Sequence, residues 1–149
     1  MPDLTRVEPI ALLPTQAGCA VFLGDGEKVI SFFIDPSIGV SINAVLAGQK
    51  PERPLTHDLF LMTLEAFGAQ LQRVVIVDMQ EEVYFARVIF QVENEIQEKK
   101  IVELDARPSD SIALAVRVNA PIYVVTSLWE SLTDVAETLE EMRRESEDS

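Results

Sequence analysis

The sequence predicts an α+β fold, a single compact domain in which helices pack on a mixed, mostly antiparallel sheet. Apolar runs of strand length fill the first third and return in the middle of the chain. Apolar residues at helical spacing follow two similar openings, "RPLTHD" at Arg53–Asp58 and "RPSDS" at Arg107–Ser111. Strands and helices do not alternate as a regular βαβ series. The 149 residues suffice for one hydrophobic core.

The first third predicts a strand-rich unit followed by one helix. "RVEPIALLP" and "GCAVFLG" are rich in β-formers, and "KVISFFID" continues the pattern after a hairpin turn at Gly24–Gly26. "PSIGVSINAVLAG" predicts a helix with Pro36 at its start and Gly48 as its stop. Its apolar face consists of Ile38, Ile42, Val45 and Leu46.

The middle of the chain predicts a helix, three strands and a second helix. "LTHDLFLMTLEAFGAQ" is helical and ends at Gly68. "LQRVVIVDM" and "EVYFARVIFQV" form an antiparallel pair joined near Gln80–Glu81, and "KKIVELDA" is the third strand. "RPSDSIALAVRVNA" is the second helix, and "PIYVV" is a last short strand. The stripe of the first of these helices comprises Leu59, Phe60, Thr63, Leu64 and Phe67.

The C-terminal part predicts two helical segments and a frayed tail. "TSLWESL" begins with a capping-box pattern from Ser127 to Glu130, and the helix resumes through "DVAETLEEMRRE". The acidic ending "ESEDS" is expected to fray. We therefore divide the chain into a main domain, residues 1–132, and a C-terminal acidic helix and tail, residues 133–149.

Composition bears on location and assembly. The chain is 48% hydrophobic with a mean hydropathy of +0.15, yet no apolar run approaches the roughly 18 residues that cross a bilayer. We expect no membrane association and no signal peptide. The apolar surplus favours a buried interface in a homo-oligomer. Because Cys19 is the one cysteine, no intramolecular disulfide forms, and a cytoplasmic location is expected.

The charge limits the possible partners. The net charge is −13 with only 12 Lys and Arg residues, which disfavours a broad surface for nucleic acid. A small basic site, or one bridged by metal ions, remains compatible with this charge. The sequence contains no Gly-rich phosphate loop, His-Glu-x-x-His or Cys-x-x-Cys motif.

The two similar openings have a structural interpretation. Proline suits the first turn of a helix, hydroxyl residues cap its free N–H groups, and Asp complements its dipole. The arginines do not fit, because a cation before a helix start faces the positive end of the dipole. We therefore expect ion pairs, with Asp105 or Asp110 for Arg107 and with Glu52 or Asp58 for Arg53. The helix-start residues are Pro54, Thr56, Asp58, Pro108, Ser109 and Asp110.

The same residues also have a catalytic interpretation. The two helix starts, with Arg53, Arg107 and Ser109, would converge on a phosphate group. His57 would serve as acid or base. A divalent metal, Mg²⁺ or Mn²⁺, would position a water molecule. Its ligands, which with His57 make up the catalytic set, would be Asp58, Asp105 and Asp110.

Long motifs in the chain resemble the bifunctional nuclease domain family, formerly a bacterial domain of unknown function. They are "ERPLTHDLFLMTLEAFGAQLQRVVIVDM", "YFARVIF" and "ELDARPSDSIALAVRVNAPIYV", within a match from about Pro51 to Leu132. The resemblance implies a compact α+β domain that tends to self-associate, with DNase and RNase activity in plant members. The candidate site residues named above occupy the family's motif positions.

The chain also departs from the family pattern. Where the family has a Glu-Ala pair at the start of the first helix, this chain has Ile38–Gly39, while Asp35 is gained nearby. Gln80–Val83 replaces an Asp-Gly-Thr turn. If the lost glutamate is a metal ligand or base, this chain is a degenerate member.

Three hypotheses follow. The first is a metal-assisted nuclease that hydrolyses phosphodiester bonds of DNA or RNA. The second is a non-catalytic oligomeric regulatory or protein-interaction domain, in which the Arg and Asp residues of the motifs stabilise the fold. The third is binding of a small anion without catalysis.

Overall fold

The structure, a computed structural model, describes residues 2–148. This part of the chain forms seven strands and five helices. None of these helices has the length and apolar character needed to cross a membrane. The elements are β1 (Leu4–Thr15), β2 (Gly18–Gly24), β3 (Val29–Ile34), α1 (Pro36–Leu46), α2 (Thr56–Ala66), β4 (Ala69–Gln80), β5 (Val83–Glu93), β6 (Lys99–Ala106), α3 (Pro108–Val118), β7 (Ile122–Val125), α4 (Thr126–Ser131) and α5 (Ala136–Glu147).

One mixed sheet contains all seven strands in the order β3-β2-β1-β7-β4-β5-β6. Two antiparallel meanders, β1–β3 and β4–β6, are joined by β7, which pairs antiparallel with β1 and parallel with β4. Short turns allow each meander to form from neighbouring segments. The predicted α+β class and mostly antiparallel sheet are confirmed.

The main core lies between one face of the sheet and helices α1 and α3. The middle of α3 is fully buried from Ile112 to Ala115, against Val74, Val88 and Phe90 of β4 and β5. On the opposite face, Leu139 of α5 packs against alternate residues of β2. Strand β2 is therefore buried on both faces, which explains its continuous apolar sequence.

The elements agree with the sequence pattern, with three differences. Helix α4 begins at Thr126 without a side-chain cap, so the predicted Ser127–Glu130 capping box is wrong. A tertiary contact fixes this start instead, since the Thr126 and Thr5 hydroxyls lie 2.9 Å apart. Helix α5 continues through Glu147 of the expected frayed tail. Helix α2 has no fully buried residue, and its predicted apolar stripe is wrong. Leu61 and Leu64 pack against the core, whereas Leu59, Phe60, Thr63 and Phe67 are exposed.

Gly39 of α1 and Cys19 of β2 meet at a close approach of helix and sheet. A Cβ added at Gly39 would lie 2.4 Å from Cys19 Sγ and 2.8 Å from Cys19 Cβ. These distances are well inside van der Waals contact, so only glycine fits while the cysteine is present. The Gly39 departure from the family pattern thus has a packing cause.

We expect Gly39→Ala to lower the free energy of unfolding. Overpacking destabilises by about 1–3 kcal/mol, and the better helix propensity of alanine offsets roughly 1 kcal/mol of this loss. Chemical denaturation measures the loss, with Val40→Ala as the control on the exposed face of α1. Adding Cys19→Ala should recover part of the loss, and a Gly39→Ala protein as stable as wild type would contradict the close contact.

Candidate functional site

In the two similar openings the aspartates occupy equivalent helix positions, whereas the Arg-Pro pairs do not. Asp58 is the third residue of α2, and Asp110 is the third residue of α3. Arg107 precedes the first residue of α3 directly, whereas Arg53 and Pro54 lie outside α2, which begins at Thr56. Neither Thr56 nor Ser109 caps its helix. The N-cap residues are Leu55 and Arg107, and neither of them makes a side-chain capping bond.

Asp110 binds His57 and Arg107 at the same time. His57 Nε2 lies 2.9 Å from Asp110 Oδ1, and Arg107 donates from Nε to Asp110 Oδ2 at 2.8 Å. A second, longer contact of 3.4 Å joins Arg107 Nη2 to Oδ1. Arg107 remains 68% exposed while His57 and Asp110 are half-buried. We call these three residues the Asp110 cluster.

Asp58 binds a cation that the sequence analysis missed. Arg117, only 5% exposed, donates from Nε to Asp58 Oδ1 at 2.8 Å. Its other nitrogens donate to the Ala113 carbonyl at 2.8 Å and to Ser41 Oγ at 2.6 Å. The second oxygen of Asp58 accepts the Leu55 N–H at 2.9 Å. Arg117 thereby connects α1, α2 and α3, and we call Ser41, Asp58 and Arg117 the Arg117 cluster.

A signal for Arg117 exists in the sequence. Arg117 lies about two turns after Asp110 on α3, which places both on the helix face that meets α2. A basic residue at that spacing inside an otherwise apolar helix needs a partner when it is buried.

Asp105 and Arg53 form no hydrogen bond or ion pair with either cluster, although Asp105 borders the same groove as His57 and Asp110. Asp105 accepts from Arg87 Nη1 at 2.5 Å, a pair between directly opposite residues of β5 and β6. Arg53 is exposed and has no ion pair within residues 2–148. The expectation that Arg107 pairs with an adjacent aspartate is confirmed with Asp110, while the expected pairing of Arg53 is wrong because Arg117 takes Asp58.

The carboxylates do not form a metal site as arranged. Within the described part of the chain, no three His, Cys, Asp or Glu side chains gather in a way that could hold a metal ion. Asp58, Asp105 and Asp110 each bind a cationic side chain of the protein instead. The residues present therefore do not fit the predicted divalent metal.

The cations change the titration of both helix-start aspartates. Burial raises the pKa of Asp110, but hydrogen bonds and charge from Arg107 and His57 outweigh it and hold the pKa below its ordinary value. For Asp58, burial likewise acts upward, and the Leu55 N–H and Arg117 outweigh it and lower the pKa. The Arg107 pKa is raised, chiefly by its hydrogen bond to Asp110. Both carboxylates are thus held ionised beside their cations.

Two openings flank the Asp110 cluster. Arg107 borders a cavity of about 650 Å³ whose walls include Asp35, Tyr84 and Ser109. Ser109 itself is only 5% exposed. His57 and Asp110 border a groove of about 260 Å³ between α2 and β6, which is mostly apolar.

The gained residue Asp35 has a structural role. Its carboxylate caps α1 by accepting the Ser37 N–H at 2.8 Å and the Ser37 hydroxyl at 2.5 Å. These bonds lower the Asp35 pKa, and the charge of Arg107 across the cavity adds to the effect. The cavity wall thus has one cation, Arg107, and two carboxylates, Asp35 and Glu82, while Asp110 binds the same cation from the neighbouring groove.

We expect Arg117→Ala to destabilise the protein more than Arg107→Ala. Loss of Arg117 leaves a half-buried carboxylate without its cation, which costs about 1–3 kcal/mol. Arg107 is mostly exposed, so its loss should cost at most about 1 kcal/mol. Urea unfolding of the two variants provides a matched comparison on one helix, and equal stabilities would contradict the structural role of Arg117.

Stability should fall in acid through Asp58 and Asp110. Their pKa values are lower in the folded than in the unfolded chain. The stabilisation is therefore fully present above the unfolded pKa, at roughly pH 4, and disappears as pH falls through the folded values. Unfolding free energies measured from pH 7 to pH 2 should decline less steeply below about pH 5 in Asp58→Asn and Asp110→Asn. A slope identical to wild type would contradict the assignment.

Comparisons with known proteins place the chain in a family. It is 39% identical over 100 residues to uncharacterized proteins from two strains of Mycobacterium tuberculosis. The matched region covers 67% of this chain and 56% of each relative, so the chain spans about half the length of these curated relatives. A family model described as the bifunctional nuclease domain matches residues 21–136, which include both helix starts and the whole Arg117 cluster. The chain therefore belongs to the bifunctional nuclease domain family.

Proposed function

We propose that this chain is a nuclease that hydrolyses phosphodiester bonds of DNA or RNA at the Asp110 cluster. The observation that carries the proposal is the double contact of Asp110, which fixes His57 beside a largely exposed Arg107. Membership of the bifunctional nuclease domain family supports it. The proposal requires a phosphate-binding cation next to a proton-transfer group, and this cluster supplies both, with Arg107 at the cavity and His57 at the adjoining groove.

Arg107 would bind the phosphate. Its guanidinium uses Nε and one Nη2 contact on Asp110, and its remaining N–H donors are available to phosphate oxygens from the cavity side. Asp110 holds the guanidinium in place, so less side-chain freedom is lost when the phosphate binds.

His57 would transfer the proton. Asp110 binds Nε2 of the imidazole, so Nδ1 is the nitrogen that would take a proton from the attacking water as its oxygen bonds to phosphorus. It would then give that proton to the leaving oxygen as the P–O bond breaks. A carboxylate behind an imidazole orients the ring and stabilises its charged form. No step of this proposal passes through a metal ion.

The acidic charge shapes the mode of binding. A net charge of −13 opposes a long phosphate track across the surface, so contact would be confined to the cluster. Arg53 is a second exposed cation just before α2 and could contact a neighbouring phosphate. We expect weak binding of nucleic acid with a shallow salt dependence, because few phosphates are neutralised.

A second candidate is an oligomeric protein-interaction domain without catalysis, favoured by the Arg117 cluster. That cluster accounts for Asp58 of the first motif as a structural residue that joins three helices. Large apolar side chains on the outer face of α2 favour a homo-oligomer. The single buried cysteine fits a cytoplasmic location under either candidate.

The decisive assay measures cleavage of single- and double-stranded DNA and RNA, with and without Mg²⁺ or Mn²⁺. We expect wild-type cleavage to fall about 10²-fold or more in His57→Ala, with a comparable loss in Asp110→Ala. Arg107→Ala should weaken substrate binding. Asp78→Ala, which changes an exposed aspartate outside both helix starts and both clusters, is the matched control and should retain wild-type activity.

Each contrary result has a definite meaning. Equal activity in His57→Ala and wild type would exclude the Asp110 cluster as the catalytic centre. A large loss in Asp105→Ala would extend the centre to β6. Absence of cleavage under every condition, together with unfolding of Arg117→Ala, would support the interaction domain instead.

A further inference from the structure

The cavity beside Arg107 lies where the curvature of the sheet brings distant strands together. Strands β3 and β5 have β2, β1, β7 and β4 between them, yet the ring centroids of Phe32 and Tyr84 are only 4.9 Å apart. The tip of the β4–β5 hairpin forms one wall, and β3 and the start of α3 form the others. The volume of about 650 Å³ lies within the roughly 300–1,000 Å³ typical of small-molecule sites. We call this space the Arg107 cavity.

The walls of the Arg107 cavity combine aromatic and apolar side chains with three charged ones. Phe32 and Tyr84 are its aromatic floor, and Tyr84 is half-buried. A free phosphate would meet two carboxylates as well as the cation, so it does not match the whole cavity. A ligand with a phosphate, a flat ring and N–H donors matches every part, which is the chemistry of a nucleotide. The charged side chains are Arg107, Asp35 and Glu82.

Glu82 is the carboxylate available to a ligand. Within residues 2–148 its side chain makes no hydrogen bond or ion pair. Asp35, in contrast, uses its Oδ1 atom to cap α1 through the N–H and hydroxyl of Ser37. An ionised carboxylate accepts hydrogen bonds and donates none, so Glu82 selects for donor groups on a ligand.

The backbone that carries Glu82 is strained. Gln80 pairs with Val83, so Glu81 and Glu82 form a two-residue hairpin turn, with φ angles of 49° and 67°. Turns of this kind favour Asn-Gly, because side chains with a Cβ rarely adopt positive φ. A strained residue that brings an unpaired carboxylate to a cavity points to a role in binding.

We propose that the Arg107 cavity binds an unpaired nucleobase beside the phosphate held by Arg107, and that Glu82 selects guanine. The Watson–Crick edge of guanine presents adjacent N1–H and N2–H donors, which one carboxylate can accept together. Uracil and thymine present a single N–H between two carbonyl oxygens, which a carboxylate repels. Tyr84 would pack against the base.

The proposal deepens the proposed function and rests on it for the identity of the substrate. Base pairing occupies the Watson–Crick edge in a duplex, so the base has to be unpaired before Glu82 can bind it. Glu82 and Tyr84 would therefore determine specificity, whereas proton transfer stays with His57.

Nuclear magnetic resonance titration of the full chain measures binding without any need for cleavage. The probes are guanosine 5′-monophosphate, uridine 5′-monophosphate and inorganic phosphate. We expect the guanine nucleotide to bind about tenfold more tightly than the uracil nucleotide, and both to bind more tightly than phosphate. In cleavage of single-stranded oligonucleotides with one guanine, the cut should lie next to that guanine.

Two pairs of variants separate the roles of the side chains. Glu82→Gln should abolish the preference for guanine, while Glu81→Gln, its neighbour in the same turn but outside the cavity walls, should keep it. Tyr84→Leu should weaken binding of both nucleotides about tenfold. Tyr123→Leu changes the other tyrosine of the chain, which lies on β7 outside the cavity walls, and should bind as wild type does. If Tyr84→Leu fails to fold by circular dichroism, the Glu82→Gln result still decides.

The contrary results have distinct meanings. Equal affinity for the three probes, or a guanine preference that persists in Glu82→Gln, would overturn this inference. Cleavage by a chain that binds none of the nucleotides would overturn the inference and leave the proposed function standing. Guanine binding that depends on Glu82, in a chain that cleaves no substrate, would support the cavity as a guanine site and overturn the proposed function alone.

Discussion

The buried guanidinium of Arg117 is the contact on which the arrangement of the helices depends. It binds the Asp58 carboxylate, the Ser41 hydroxyl and the Ala113 carbonyl, so α1, α2 and α3 meet at one charged group. Removing a charge from water costs several kcal/mol, and only this full set of acceptors makes the burial tolerable. Because α2 has no buried residue of its own, this contact fixes its first turn more firmly than apolar packing does.

The Asp110 cluster follows from that placement. His57 precedes Asp58 in α2, so the contact that holds Asp58 to Arg117 also brings His57 to Asp110 on the same face of α3. Asp110 in turn lies in the first turn of α3, where a carboxylate complements the helix dipole and offsets the charge of Arg107. The adjacent residues His57 and Asp58 thus belong to different clusters. A substitution of Arg117 would therefore displace His57 from Asp110, although Arg117 does not contact either of them.

The two halves of the sheet are covered unequally. Helix α5 covers the outer face of β2, with Leu139 against Ala20 and Phe22, while α1 and α3 cover the inner face. At the other end, β6 has only α2 nearby, and most apolar residues of α2 point outward. Exposed apolar side chains lie at this end of the sheet, and others, such as Phe33 and Val40, lie elsewhere. The groove beside His57 opens at this same edge.

The sequence alone determined the order and type of the elements, the α+β class and the starts of α1, α2 and α3, because periodicity, turn residues and helix-start chemistry act between near neighbours in the chain. It also indicated that Arg107 needs an acidic partner. The tertiary structure decided which charges meet: Asp58 and Arg117 are separated by 59 residues, and Arg53 lost its expected partner to that distant arginine. It also decided that β7 joins the two meanders and that most large apolar side chains of α2 are exposed. Such pairings depend on distances between elements, which arise only when the sheet and helices pack and which local sequence patterns do not encode.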